Sequence, residues 1–490
     1  MSSIKKFFAD YSQFVGTGVA TQLLGFVTFP ILTRLLSKEQ YGMMGLVTTT
    51  MLLAVALAKA GLSDGIIRLY KEYDATSEQR SLFSSTVIVR GVILAFFTTV
   101  MYIIIFPFIH PYLKISDAYV ACFMVMAVYL FIRPLNIIVL NILRIRGRTT
   151  FINALGVLGK ITSIGLSLFL LIYIVHDLYG YFIGIVAAEL LVSIILFNWF
   201  FKNYKIGFKN VSGDLTVRLL KFGAPLLLTE LSFLLLTYID RYMILAYRGE
   251  NTLGLYSVGY NLAMYISDII TFSLSYAIVP IYVQIYSKEG RAKTEEFLRK
   301  SLHYLLIVLI PLCIGYYSVS DDLFTALASQ KYTSAATFSP LILVASLLLG
   351  MNGILNAGLY LKKKSRTILG IMISGLIIKV IMNIILLPQY GATGAAIATL
   401  IGCAATSGLT MYLSFKHIAI TVEAKALLFY VLLSIAMMIA IMQIRTSMIW
   451  VKLIAKIIVG MMIIISGMLF KEKVILEKIK SALSAKNTEH

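Results

Sequence analysis

Apolar and polar residues alternate along this chain in long blocks, not at a short period. Runs of predominantly apolar residues, each long enough for the roughly 20-residue helix that crosses a bilayer core, are separated by brief polar connections. Fourteen such runs can be counted, at 12–36, 41–67, 82–108, 117–143, 150–175, 178–201, 219–247, 252–283, 298–320, 335–361, 366–387, 391–415, 424–443 and 449–470. The pattern predicts an all-α integral membrane protein with about 14 transmembrane helices, numbered here as spans 1–14. An even number of spans puts both termini on one side. No connection is long enough to fold as a domain outside the membrane.

Composition agrees. The 490 residues are 59% hydrophobic and only 13% charged, with a mean hydropathy of +0.88, whereas soluble domains carry about a quarter charged residues. The net charge of +20 raises nucleic acid as a partner, but the basic residues sit in short runs between apolar spans. They read as membrane-surface loops facing anionic headgroups, so no nucleic-acid partner is expected. With the termini inside, 29 of the 43 lysines and arginines fall in the inner connections and tail, and 7 on the outer side. This bias predicts cytoplasmic termini. Cys122, Cys313 and Cys403 lie inside apolar runs, and the five histidines form no HExxH, so neither a disulfide nor a metal site is expected. The amino terminus MSSIKKFFADYSQF is too polar for a signal-peptide core, and span 1 is expected to direct insertion uncleaved.

Two stretches carry more specific information. FPILTRLLSKEQYG, from Phe29, leads through an apolar run to KAGLSDGIIRLY, ending at Tyr70; late in the chain stands LPQYGATGAAI, from Leu387. Through Pro30, Thr33-Arg34, Tyr41-Gly42, Gly61-Leu62, Arg68 and Leu387–Ile397 the chain resembles the Wzx-type polysaccharide repeat-unit (O-antigen or capsule) flippases of the multidrug/oligosaccharidyl-lipid/polysaccharide exporter superfamily. The resemblance implies two pseudo-symmetric six-helix lobes around a central cavity, plus two C-terminal helices. The chain then divides into an N-terminal lobe (1–201), a basic cytoplasmic linker (202–218), a C-terminal lobe (219–415), appended spans 13–14 (416–470) and a basic cytoplasmic tail (471–490). A weak internal repeat fits this: a shift of 212 positions lays Tyr41-Gly42 over Leu253-Gly254, Ile66 over Ile278 and Tyr70 over Tyr282.

An ionised side chain at mid-bilayer costs about 2.5–3.5 kcal/mol and therefore marks a bundle interior or an aqueous cavity. Such residues are Lys59, Arg133, Lys160, Glu189, Glu230, Arg241, Asp268 and Lys379. At about 100° per residue, polar faces form on span 1 (Gln13, Thr17, Thr21, Thr28), span 4 (Arg133, Asn136, Arg144), span 5 (Asn153, Lys160, Ser163, Ser167), span 7 (Glu230, Thr237, Arg241), span 8 (Asn261, Tyr265, Asp268, Ser275) and span 10 (Asn352, Asn356). By resemblance, these are cavity-lining helices; Glu189 on span 6 has no place in that division. Five intramembrane cations against three acids suggest an anionic guest. The expected substrate contacts are Lys59, Arg133, Asn136, Lys160, Arg241, Asn352, Asn356 and Lys379, with Glu230 and Asp268 as ion-coupling groups or charge partners. Arg34 and Arg68 stand at opposite ends of the cavity helices as gate or entrance residues. Near the ends of spans, Asp64 is expected to pair locally with Arg68, Asp240 to cap span 7, and Arg90 and Lys456 to reach the interface.

Together with these readings, the resemblance implies a flippase in the bacterial cytoplasmic membrane. It would move undecaprenyl-diphosphate-linked oligosaccharide repeat units from the inner to the outer leaflet by alternating access. The partners are then the lipid-linked oligosaccharide, membrane lipids and other polysaccharide assembly proteins. Flipping requires no covalent step, so no catalytic residues or cofactor are expected, and with no GxxxxGK[ST] run no nucleotide is expected either; a proton or sodium gradient is the candidate energy source. A lipid II or teichoic-acid precursor exporter is the alternative with the same fold. A cation-coupled multidrug antiporter would want a more acidic cavity. A membrane glycosyltransferase or polymerase would want longer outer loops and a clustered acidic pair.

Overall fold

The computed structural model describes residues 2–421 and 424–471, with the side chains of 2–15, 208 and 272–277 left aside. The tail beyond Lys471 and the polar positions Gln13 and Ser275 therefore lie outside the described side chains. Every regular element among the described residues is helical. Twelve helical stretches are long and apolar enough to cross a membrane. A glycine with positive φ interrupts each of three of them, at Gly249, Gly290 and Gly391, and since one rod runs on from the seventh stretch into the eighth, they resolve into fourteen rods: a multi-pass membrane protein.

The rods are α1 (Ser2–Leu35), α2 (Lys38–Lys59), α3 (Ser77–Ile109), α4 (Val120–Ile145), α5 (Thr149–Phe169) and α6 (Leu178–Asn203), then α7 (213–248), α8 (250–289) and α9 (291–323), which run end to end through Gly249 and Gly290. They are followed by α10 (Ser339–Gly350, extended in short turns to Leu361), α11 (365–390) and α12 (392–415), which meet at Gly391, and α13 (Ala424–Met442) and α14 (Ile449–Lys471). In lipid the backbone must satisfy its own hydrogen bonds, which is why these apolar runs become helices and not irregular chain. The outward faces stay apolar: Phe96, Phe97, Ile103, Ile104 and Phe108 on α3 are all exposed.

The first six rods pack on one another, as do α7–α12, and α13 and α14 dock against α9. Buried charge fixes that docking: Asp322 receives Lys452 at 2.8 Å and Lys456 at 2.6 Å. Lys456 is thus a buried partner, not a residue reaching for the interface. Arg90 likewise turns inward and donates to Thr216 at 3.2 Å.

The two six-helix bundles meet chiefly where α2 lies along α7 and α8 and where α1 lies along α8. Close approach there requires glycine. A Cβ on Gly42 would stand 2.6 Å from the Gly254 nitrogen, and one on Gly254 would collide with the Lys38 carbonyl. These are the two glycines that the 212-residue repeat equates. The start of α2 at Lys38 and the start of α8 at 250 obey the same shift.

Candidate functional site

Between the bundles lies a cavity of about 260 Å³, walled by α1, α2, α5 and α6 on one side and by α7 and α8 on the other. Lys160, Arg241 and Asp268 line it, with Thr28, Thr48 and Asn261 and with tyrosines 41, 181, 238, 260 and 265. The charged groups differ in what they have left to offer. Arg241, only 5% exposed, donates to the Gly45 carbonyl and the Thr49 hydroxyl of α2, both at 2.7 Å, and to Asn261 at 3.2 Å. Its guanidinium also lies over the rings of Tyr238 and Tyr260, at 5.1 and 5.3 Å. It fastens the two bundles together more than it faces a guest. Asp268 accepts from Gln22 at 2.9 Å, again across the bundles. Lys160 is accessible and makes no hydrogen bond or ion pair among the described residues.

The other expected substrate contacts fall elsewhere, and the picture of unpartnered buried cations is corrected for three of them. Lys59 is bonded at 2.6 Å to Glu230, joining α2 to α7. Arg133 meets Glu189 at 3.1 Å, and Asn136 donates to the same carboxylate at 2.7 Å and to Ser193 at 2.8 Å. Both Arg133 and Asn136 are therefore internal to the first bundle, and Glu189, which had no place in the sequence reading, is their shared acceptor. Lys379 is fully buried against Asp240 at 2.6 Å and donates to the Leu236 carbonyl. Asp240 also accepts from Tyr256 at 2.8 Å, Thr399 at 2.9 Å and Asn383 at 2.7 Å. It is the hub of the second bundle's interior, not a cap on α7. Asn352 and Asn356 sit on the broken α10 and are absent from the cavity wall.

Arg34 and Arg68 also separate. Arg34 donates to the Ala326 and Leu327 carbonyls at 2.9 and 3.2 Å, so α1 caps the end of the α9 turn. Lys331 reciprocates by donating to the Leu36 carbonyl at 2.6 Å. Arg68, on the short helix Leu62–Leu69, is exposed and makes no ion pair with Asp64 among the described residues. At that end of α2 the bundles are joined instead by Lys59–Glu230, by the backbone contact of Gly61 with Gly223, and by Arg218 donating to Glu72 at 2.6 Å and Tyr73 at 2.9 Å.

The sequence reading missed Gln22, the role of Asp240 and, apart from Tyr265, the tyrosines of the wall. Tyrosine on an apolar run gives no charge signal. The recurrence Tyr256, Tyr260, Tyr265 on one helix was the trace available, and Asp240 was masked by Arg241 beside it.

Comparison with known proteins fits this geometry. The sequence model described as polysaccharide biosynthesis protein matches residues 11–286, and that of MatE matches 225–385. An uncharacterised membrane protein of Methanocaldococcus jannaschii is 25% identical over 424 residues, 80% of this chain and 82% of its own. A protein of the Lsg locus of Haemophilus influenzae is 24% identical over 351 residues, 66% of this chain and 78% of its own. Among solved structures, the lipid II flippase MurJ in an inward closed conformation superposes with a TM-score of 0.76 at 17% identity, covering 93% of this chain and 98% of that one. An inward-facing multidrug resistance MATE transporter gives 0.64 at 16% identity, covering 83% and 94%. The chain belongs to the polysaccharide biosynthesis protein family, within the multidrug/oligosaccharidyl-lipid/polysaccharide exporter superfamily of membrane flippases and transporters.

Proposed function

We propose that this protein carries undecaprenyl-diphosphate-linked oligosaccharide repeat units from the inner to the outer leaflet of the cytoplasmic membrane, for surface polysaccharide assembly. The observation that carries the reading is a polar cavity shared by both bundles, with the free ammonium of Lys160 on its wall. Diphosphate or an acidic sugar would meet that ammonium in a charge-assisted contact, while the lipid tail stays in the bilayer. The bundles 1–201 and 219–415, linked by 202–218, would rock about the cavity. The positive bias of the connections supports cytoplasmic termini.

The bundles share an apolar interface, in which Phe29, Met43 and Val47 of one join Ile244, Leu253 and Tyr256 of the other, and a set of polar contacts is spaced along it. Lys59–Glu230 stands at one end of α2, Arg34 and Lys331 at the other, and Arg241 and Gln22–Asp268 near the cavity. Contacts of this kind can be exchanged in alternating access. Asp268 is the group most exposed to a coupling proton or sodium ion, because it faces the cavity and holds the bundles through Gln22; Glu230 is engaged by Lys59.

The test is flipping in proteoliposomes. A fluorescent undecaprenyl-diphosphate oligosaccharide is scored for protection from a membrane-impermeant quencher, under an imposed ion gradient. Wild type is expected to flip it. Lys160→Ala should slow flipping at least about tenfold, as expected for losing a contact to a charged group worth about 1.5–3 kcal/mol, and Arg133→Ala, outside the cavity, should slow it far less. Equal effects of the two substitutions would refute the cavity assignment. Transport of lipid II, or of an organic cation, in place of the oligosaccharide would refute the cargo.

A further inference from the structure

We infer that the cavity is a saccharide site: Tyr181, Tyr238 and Tyr265 take the sugar rings, and Lys160 takes a single anionic group carried by or next to them. This rests on the flippase reading above and narrows it from a lipid-linked cargo to the part of the cargo the protein grips.

The three tyrosines approach the cavity from α6, α7 and α8, so both bundles contribute. Each is half-buried, with its ring packed and its hydroxyl free of any hydrogen bond among the described residues. The other two tyrosines of the wall are spent: Tyr41 accepts from Asn261 at 3.1 Å and Tyr260 donates to the Thr237 carbonyl at 3.2 Å. Neighbours fix the free rings. Tyr265 stands edge-on to Phe26 and Phe29, at 6.4 and 6.1 Å between centroids, and Tyr238 packs 6.0 Å from Tyr260 with the Arg241 guanidinium over both rings.

A wall that combines fixed aromatic faces with unengaged phenol hydroxyls suits a guest with apolar C–H faces and many hydroxyls at its edge. The electron-rich face of tyrosine attracts the slightly positive C–H groups, and its hydroxyl both donates and accepts. A pyranose has this shape. An organic cation would use the faces but leave the hydroxyls unused, and it would meet a free ammonium. A bare hydrocarbon tail would use neither. On the described wall Lys160 is the cation without a hydrogen bond or ion pair, while the Asp268 carboxylate is held by Gln22; an anionic group of the guest, either the phosphate next to the first sugar or the carboxylate of a sugar acid, is therefore placed at Lys160.

The experiment is binding to the full-length protein in nanodiscs, with three probes: a farnesyl-diphosphate-linked disaccharide, farnesyl diphosphate alone, and octyl glucuronide. The disaccharide probe is expected to bind at least about tenfold more tightly than farnesyl diphosphate. The triple variant Tyr181→Phe/Tyr238→Phe/Tyr265→Phe, which keeps every ring, should remove most of that difference, about tenfold for the loss of the hydroxyl contacts. It should leave farnesyl diphosphate unaffected. Tyr181→Leu, tested alone, should weaken the disaccharide probe by several-fold.

Lys160→Gln should weaken the phosphate probes if the anion is phosphate, or octyl glucuronide if it is the sugar acid. Either result supports the site and names the source. If the disaccharide and farnesyl diphosphate bind wild type equally and the tyrosine variants change neither, the saccharide site is overturned while the flippase reading stands. If no probe binds but tetraphenylphosphonium does, both fall.

Discussion

The two six-helix bundles follow the same plan but turn their corners differently. In the first, α1 gives way to α2 through Ser37, whose hydroxyl accepts from the Gln40 amide while the Gln40 side chain accepts from the Ser37 amide. Asp177 and Thr76 open α6 and α3 in a similar way, each accepting from a backbone amide. In the second bundle, the positions 212 residues later fall at Gly249 and two residues before Gly290 and Gly391, where the helices run on with one residue of positive φ between them. A capping box satisfies the orphan amides of a helix start with side chains. A glycine break instead changes direction in one residue, which only glycine tolerates at φ 77°, ψ −178°. The interiors differ as well. One ion pair inside the first bundle, Arg133–Glu189, leaves the arginine side chain 36% exposed, whereas Lys379–Asp240 in the second is 0% and 1% exposed. The first bundle's central pair keeps an open side, and the second's is sealed.

The largest expected effect tests those centres. Lys379→Met leaves the Asp240 carboxylate buried with three neutral donors. Breaking a buried pair in this way costs about 3–5 kcal/mol. Thermal unfolding of the purified protein, followed by size-exclusion fluorescence, should show a large drop in midpoint. Arg133→Met exposes Glu189 to Asn136 and to a partly open surface, and should cost about 1 kcal/mol, near the range of accessible pairs. Asp240→Leu combined with Lys379→Met should recover much of the first loss, because the uncompensated charge is gone. Equal losses for the two single substitutions would erase the distinction between the bundles.

The corners come next. Gly249→Ala forces a Cβ into a conformation reserved for glycine, at about 1–3 kcal/mol, although the space around it is open. The matched change in the first bundle, Ser37→Ala, loses one cap at about 1 kcal/mol. The same unfolding assay should rank them in that order. A reversed ranking would mean that α7 and α8 bend at Gly249 without strain.

How much of this was written in the sequence follows from the same contrast. The apolar blocks gave fourteen spans, because length and hydropathy decide membrane insertion residue by residue. Even where α7, α8 and α9 run together, the polar dips at 248–251 and 284–297 marked the joints. The motif residues Arg34, Tyr41 and Gly42 stood out, and all three lie where the bundles meet. What helical periodicity could not supply was the partner on the other helix. It put Lys59, Arg133 and Lys379 on polar faces, and those faces turned toward Glu230, Glu189 and Asp240 and not toward a guest. A charge count compares totals, but pairing is set by tertiary contacts between positions 56 to 171 residues apart. The tyrosines other than Tyr265 were silent for a different reason: on an apolar helix they register as apolar.

The smallest expected effect bears on how the bundles separate. Arg34 holds one end of their interface by donating to two carbonyls, and Lys59 holds the other by its pair with Glu230. Each contact is polar and accessible enough to be worth only about 0.5–1.5 kcal/mol, so its loss should shift the balance of states several-fold without unfolding the protein. Thr48 lines the cavity between these ends. With Thr48→Cys as the sole cysteine, labelling by a membrane-impermeant maleimide from each side reports which end is open. Arg34→Gln should raise labelling from the side that carries the Ser37–Gln40 turn, and Lys59→Gln from the opposite side. If both substitutions raised labelling from the same side, the two contacts would belong to one gate, and the cavity would open by a route other than rocking about α2.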